Sequence, residues 1–151
     1  MADVHSPDIR SKNMRAIRSK NTKPEILVRR ALHAAGFRYR LHVSGMPGKP
    51  DIVFSKFHAV ILIHGCFWHG HDCKFFKLPS TRTDFWRAKI EKNRSNDARA
   101  FEALVTSGWR VAVVWECAIC RGPIEDQPSL TLCLSDWLRS EQMSIEIPPA
   151  T

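Results

Sequence analysis

The chain has 151 residues, 44% of them apolar and 25% charged, with 23 Lys and Arg against 15 Asp and Glu, a net charge of +8 and a pI near 9.6. This length suits one domain around one core, no apolar stretch approaches the roughly 20 residues of a membrane span, and the N-terminus has acids ahead of its first Arg and no apolar leader segment. The cationic surplus favours a polyanionic partner, because each phosphate contact releases counterions.

Residues 1–21 are polar and basic, with Arg10, Lys12, Arg15, Arg18 and Lys20 interrupted mainly by Met14 and Ile17. They read as an arm that is either a disordered tail or a short helix that orders on nucleic acid. Thr22-Lys-Pro-Glu25 then carries the signature of a helix start, a capping Thr three residues before Glu with Pro near the first turn. Ile26, Leu27, Ala31, Leu32 and Ala35 recur at helical spacing, and Gly36 stops the helix. Phe37, Tyr39, Leu41 and Val43 alternate with Arg38, Arg40 and His42, as in a half-buried strand. After a Gly- and Pro-rich turn come a short strand at Asp51–Phe54, a tight connection at 55–58, and Ala59–Ile63, apolar throughout like a strand buried on both faces.

Residues 64–83 form an irregular block. Thr83 caps a second helix expected to run to Val105 with a break near Asn93, and Ser107-Gly108 ends it. Trp109–Trp115 alternates as another strand, residues 129–139 (Leu130, Leu134, Trp137, Leu138) form a final amphipathic helix, and the tail 140–151 is expected to be loose. The elements describe a compact α/β domain over 22–139 with a mixed sheet.

Five cysteines, Cys66, Cys73, Cys117, Cys120 and Cys133, read as reduced thiols rather than as a disulfide framework. Cys66, His71 and Cys73 lie within one loop and could ligate a single Zn²⁺, with Cys117 from the end of a strand as the fourth ligand. Cys120, three residues beyond, competes for that place; Cys133, among leucines, is expected in the core. Pro50-Asp51 sets a carboxylate at a strand start, where it could hold a hard cation such as Mg²⁺ or simply cap a turn. His64 and His69 offer a general base or acid, or further metal ligands. Phe67, Trp68 and Trp86 stand near Arg82 and Arg87, a composition suited to wedging between base pairs. Phe75, Phe76 and Phe85 are expected instead to roof the core.

Ser11-Lys-Asn-Met-Arg-Ala-Ile17, Pro47-Gly-Lys-Pro-Asp51, His64-Gly-Cys-Phe-Trp-His69, Thr81-Arg-Thr-Asp-Phe-Trp86 and Gly108-Trp-Arg-Val-Ala-Val-Val-Trp-Glu-Cys117 together resemble the very short patch repair endonucleases. The likeness spans residues 10 to 139. It implies a restriction-endonuclease-like fold, a mixed central sheet flanked by helices with a structural zinc site. It implies an Mg²⁺-dependent endodeoxyribonuclease that nicks duplex DNA 5′ to the thymine of a T:G mismatch, starting repair of deaminated 5-methylcytosine. Asp51 and the Ile63 carbonyl would hold Mg²⁺, His69 would be the general acid/base, and His64 and Glu25 would position the attacking water. Cys66, His71, Cys73 and Cys117 would hold Zn²⁺, while Phe67, Trp68 and Trp86 wedge beside the mismatch and Met14 approaches from the other groove. Asp97 would support a histidine or water. The expected partners are mismatched duplex DNA and, functionally, a DNA cytosine methyltransferase and mismatch-repair proteins; no membrane is involved. The chain would act as a monomer in a bacterial cytoplasm, at the nucleoid.

The chain departs from the family pattern at Ile63, where a threonine is usual, and at Gly70 and Asp72, which replace histidines around His71. Two other classes fit parts of the pattern. A non-catalytic zinc module that binds mismatched DNA needs neither Asp51 nor His69, and a catalytic-zinc hydrolase would use His64, His69 and His71 on small substrates.

Overall fold

The computed structural model describes residues 22–74, 76–119 and 127–149. Helix α1 (Lys23–Ala34) begins after an extended Thr22 with Pro24 in its first turn, and buries Val28 and Leu32 along one face. The expected reciprocal cap does not form. Thr22 makes no side-chain cap bond, and Glu25 is buried and turns away toward His42.

The strand expected over Phe37–Val43 shrinks to β1 (Arg40–Leu41). Phe37 is packed in the core before it, and His42 adopts a left-handed φ of 50°, which ends the extended run. Strand β2 (Ile52–Phe54), a 3₁₀ turn at Ser55–Phe57 and β3 (Ala59–His64) make a tight antiparallel hairpin closed by a left-handed His58. Strand β3 is the centre of a five-stranded sheet in sequential order, with β4 (Arg110–Trp115) parallel to it.

Helix α2 (Thr83–Thr106) covers one face, where Ile90 and Leu104 are buried; Leu104 packs with Val53, Val60, Leu62, Val111 and Val113. It runs unbroken through Asn93, whose side-chain amide donates to the Trp68 carbonyl at 2.8 Å instead of competing for the helix backbone. Thr83 lies inside the helix rather than capping it. The cap is Arg82 at φ 53°, and the Thr83 hydroxyl donates to the Pro79 carbonyl. The other face carries α1, a four-residue helix α3 (Glu116–Ile119) and α4 (Gln127–Arg139), with Leu134, Trp137 and Leu138 packed on Ile52, Phe54, Ala59, Ile61, Ala112 and Val114.

The segment expected to be loose contains β5 (Ser144–Ile147), parallel to β4. Ile145 and Ile147 pack against the core, and the Arg110 guanidinium collects the carbonyls of Trp137, Leu138 and Gln142, fixing the turn between α4 and β5. Cys133, expected in the core, is exposed. No helix among the described residues is long and apolar enough to cross a membrane.

Antiparallel β2 beside parallel β3 and β4 sets three points of the chain at one end of the sheet. Asp51 precedes β2, His64 ends β3, and Cys117 follows β4.

Candidate active site and metal centre

Asp51 is fixed by that geometry. Its amide donates to the Ile61 carbonyl, and its Oδ2 accepts a 2.7 Å hydrogen bond from the Ile63 amide. Burial raises its carboxyl to about 6, from an ordinary 3.8; the Ile63 amide opposes the shift, Glu25 adds to it, and His42 and His69 oppose it. Glu25, His42 and His69 therefore all lie within electrostatic reach of Asp51. Glu25 is 1% exposed, accepts a 2.6 Å hydrogen bond from His42 Nε2 and lies 3.5 Å from Arg29. Two carboxylates brought together out of full contact with solvent repel unless a proton or a cation intervenes. Oxygen donors of this kind suit a hard divalent ion.

His64 and His69 stack with ring centroids 4.0 Å apart and planes within 7°. Burial first, and the charge of His69 second, push the His64 imidazole down to about 3, so it is neutral at ordinary pH. Its Nδ1 is buried without a hydrogen-bond partner among the described residues. His69 Nδ1 lies 2.5 Å from Asp97 Oδ2. An ionised carboxylate only accepts, so the proton sits on Nδ1 and Nε2 is left for exchange with a reacting group. Asp97 comes from the middle of α2, and with Arg94, Trp115 and Glu146 it lines the same cleft as the two histidines.

The block after β3 folds back through consecutive turns, with the His71 amide donating to the Cys66 carbonyl at 2.9 Å. Cys66, His71, Cys73 and Cys117 present ligand atoms all within 4.8 Å of one another, and Cys117 Sγ is 3.6 Å from His71 Nδ1. Tetrahedral Zn–S bonds of about 2.3 Å place ligands a little under 4 Å apart. The cluster thus has the ligand types, and close to the spacing, with which it could hold a metal ion such as zinc. Burial raises the Cys66 and Cys117 thiols and lowers His71, so a metal held by these residues would displace thiol protons. His71 stacks on Trp115 at 4.2 Å, and the Trp115 indole donates to Glu146 on β5 at 3.2 Å. Cys120, the competing ligand, falls outside the described residues.

Phe67, Trp68 and Trp86 form one aromatic group with centroids 5.1 to 5.9 Å apart, and Phe76 stacks on Phe67. Phe85, expected to roof the core, is 46% exposed with the Arg82 guanidinium 4.4 Å above its ring. Phe75, Met14 and the arm 1–21 lie outside the described residues. Sequence reasoning missed His42, Trp115 and Glu146 at this site. His42 had only its place on the polar side of an alternating strand as a signal, and Glu146 had none.

Comparison with known proteins bears on this arrangement. The family model described as DNA mismatch endonuclease Vsr matches residues 2–75. The chain is 52% identical over 119 residues to the type II nicking enzyme V.XorIIP of Xanthomonas oryzae pv. oryzae, covering 79% of this chain and 88% of that protein. It is 45% identical over 148 residues to the DNA mismatch endonuclease Vsr of Escherichia coli strain K12, covering 97% and 94%. It is 48% identical over 126 residues to the type II nicking enzyme V.NmeAIP of Neisseria meningitidis, covering 80% and 90%.

Proposed function

Because the chain belongs to the Vsr family of DNA mismatch endonucleases, we propose that it hydrolyses one strand of duplex DNA 5′ to the thymine of a T:G mismatch. The observation that carries this reading is the joining of Asp51, held on the end of β3, to the His64–His69–Asp97 group at one end of the sheet. A module that only binds DNA has no use for a buried and a half-buried carboxylate brought together or for an oriented imidazole. The fold is taken as restriction-endonuclease-like, with 22–139 and β5 as the nuclease domain and 1–21 as a DNA-contacting arm bringing Met14 to the groove opposite the aromatic group.

Asp51 and the Ile63 carbonyl would hold Mg²⁺, with Glu25 beside them. When bound, the ion supplies positive charge against the scissile phosphate. His69 transfers a proton through Nε2, while Asp97 fixes its tautomer and offsets the charge of the imidazolium. Neutral His64 packs flat against His69 and keeps the ring in place. Cys66, His71, Cys73 and Cys117 would hold structural Zn²⁺, fastening the loop that carries His69 to the end of β4. Phe67, Trp68 and Trp86 would enter the stack at the mismatch, where unstacking costs least. Repair of deaminated 5-methylcytosine, a functional link to a cytosine methyltransferase and mismatch-repair proteins, and action as a monomer at the bacterial nucleoid complete the reading.

The test is an end-labelled duplex with one T:G mismatch, incubated with protein and Mg²⁺ beside a fully paired control. A nick confined to the thymine strand of the mismatched duplex supports the reading. Tight binding with no nick in any sequence context overturns it.

A further inference from the structure

We propose that His42 is a positioning residue of the nicking site, holding the Glu25 carboxylate in the orientation it takes beside Asp51. The inference rests on the reading of Asp51 as the metal-binding carboxylate.

Glu25 sits in the first turn of α1 with 1% exposure. A carboxylate buried that deeply is costly unless it is hydrogen-bonded. Its contact with Arg29 spans one turn of the same helix at 3.5 Å, a loose pairing. The contact with His42 is 2.6 Å and crosses from the end of β1 to α1, a sequence distance of 17 residues. It therefore fixes the carboxylate relative to the sheet, where Asp51 is anchored, and not merely relative to its own helix.

The backbone at His42 points the same way. His42 holds φ at 50°, a conformation that costs a non-glycine residue on the order of 1 kcal/mol and persists where surrounding structure requires it. That bend turns the chain out of β1. The ring ends 15% exposed against Glu25 rather than on the solvent side of an extended strand, where simple alternation would have left it. Both His42 and Glu25 act electrostatically on Asp51. A residue that orients a ligand's neighbour in this way typically changes metal affinity or rate by about 10–100-fold when removed.

The experiment measures single-turnover nicking of a T:G duplex across a Mg²⁺ titration, with DNA affinity measured separately in Ca²⁺. His42→Asn accepts the left-handed backbone but is too short to reach Glu25, and His42→Gln restores a donor of suitable length. His42→Asn is expected to raise the Mg²⁺ midpoint or lower the saturating rate about 10-fold or more with unchanged DNA affinity, and His42→Gln to recover most of the loss. A His42→Asn protein with wild-type midpoint and rate overturns the inference, as does a His42→Gln protein no better than His42→Asn. Asp51→Asn separates the two readings. If it still nicks, both fall; if it is inactive while His42→Asn is unaffected, only the role of His42 falls.

Discussion

The Ile63 amide donates a 2.7 Å hydrogen bond to Asp51 Oδ2, so a half-buried carboxylate is fastened to the last residues of the central strand. Its carboxyl is raised to about 6 against 3.8 unfolded, chiefly by burial. The folded protein thus binds the proton more tightly than the unfolded chain does. This stabilisation is complete below pH 3.8 and is lost as pH rises through 6. Metal-free Asp51→Asn should therefore be more stable than wild type at pH 8, by at most about 3 kcal/mol, and not at pH 3.5. His64 works in the opposite sense, losing stability as pH falls from 6.5 toward 3, which is why the difference between the two proteins is the quantity to follow. Thermal melts at both pH values, with nicking abolished in the variant, check the assignment; an Asp51→Asn protein that nicks at the wild-type rate refutes it.

Asp97→Asn keeps the size of the side chain but gives His69 Nδ1 a partner that can also donate. The expected outcome is a single-turnover nicking rate lower by about 10²–10⁴-fold, with mismatch binding intact. A loss below threefold would remove Asp97 from the catalytic arrangement.

Ile63 packs toward the core shared with α1 and α4, while Leu62 faces α2. Its side chain lies away from the cleft, so only its backbone is available there. Ile63→Thr should leave the nicking rate within about threefold, a change of well under 1 kcal/mol in the barrier. A large gain in rate would mean that a hydroxyl at this position takes part.

Cys73→Ala should lower zinc content and thermal stability together, by about 2–3 kcal/mol or roughly 5–10 °C for a chain of this size. A chelator should shift wild type toward the variant. Metal analysis alongside calorimetry tests this, and unchanged zinc stoichiometry would exclude Cys73 as a ligand.

Gly70 has φ +63°, and a Cβ there would lie 2.6 Å from Ile90 Cγ2 and 3.0 Å from Arg94 Cδ on α2. Gly45 also has positive φ, at +82°, but open space around it. Gly70→Ala should cost about 1–3 kcal/mol and Gly45→Ala about 1 kcal/mol or less, the difference being the clash with α2. Equal melting temperatures for the two variants would show that α2 yields freely.

The elements α1, β2, β3, α2, β4 and α4 were legible because each buries one face or runs apolar through the sheet, which leaves a period in the sequence. β5 was not. Ser144-Ile-Glu-Ile147 is short, lies in a polar tail and becomes a strand only because β4 presents a free edge and Arg110 pins the turn before it. β1 was overextended since alternation at Phe37–Val43 carries no sign of the left-handed His42. At the site, the cysteine and histidine cluster could be read from its spacing. The pairs His69–Asp97 and His42–Glu25 span 28 and 17 residues, and nothing local in the chain announces such partners.

The bond from the Trp115 indole to Glu146 ties the cysteine and histidine loop to β5 as well as to β4. Trp115 is the platform on which His71 lies, and its own anchor comes from a strand 31 residues further along the chain. Removing the Glu146 carboxylate would therefore loosen the ring behind His71 while leaving all four residues of the cluster in place.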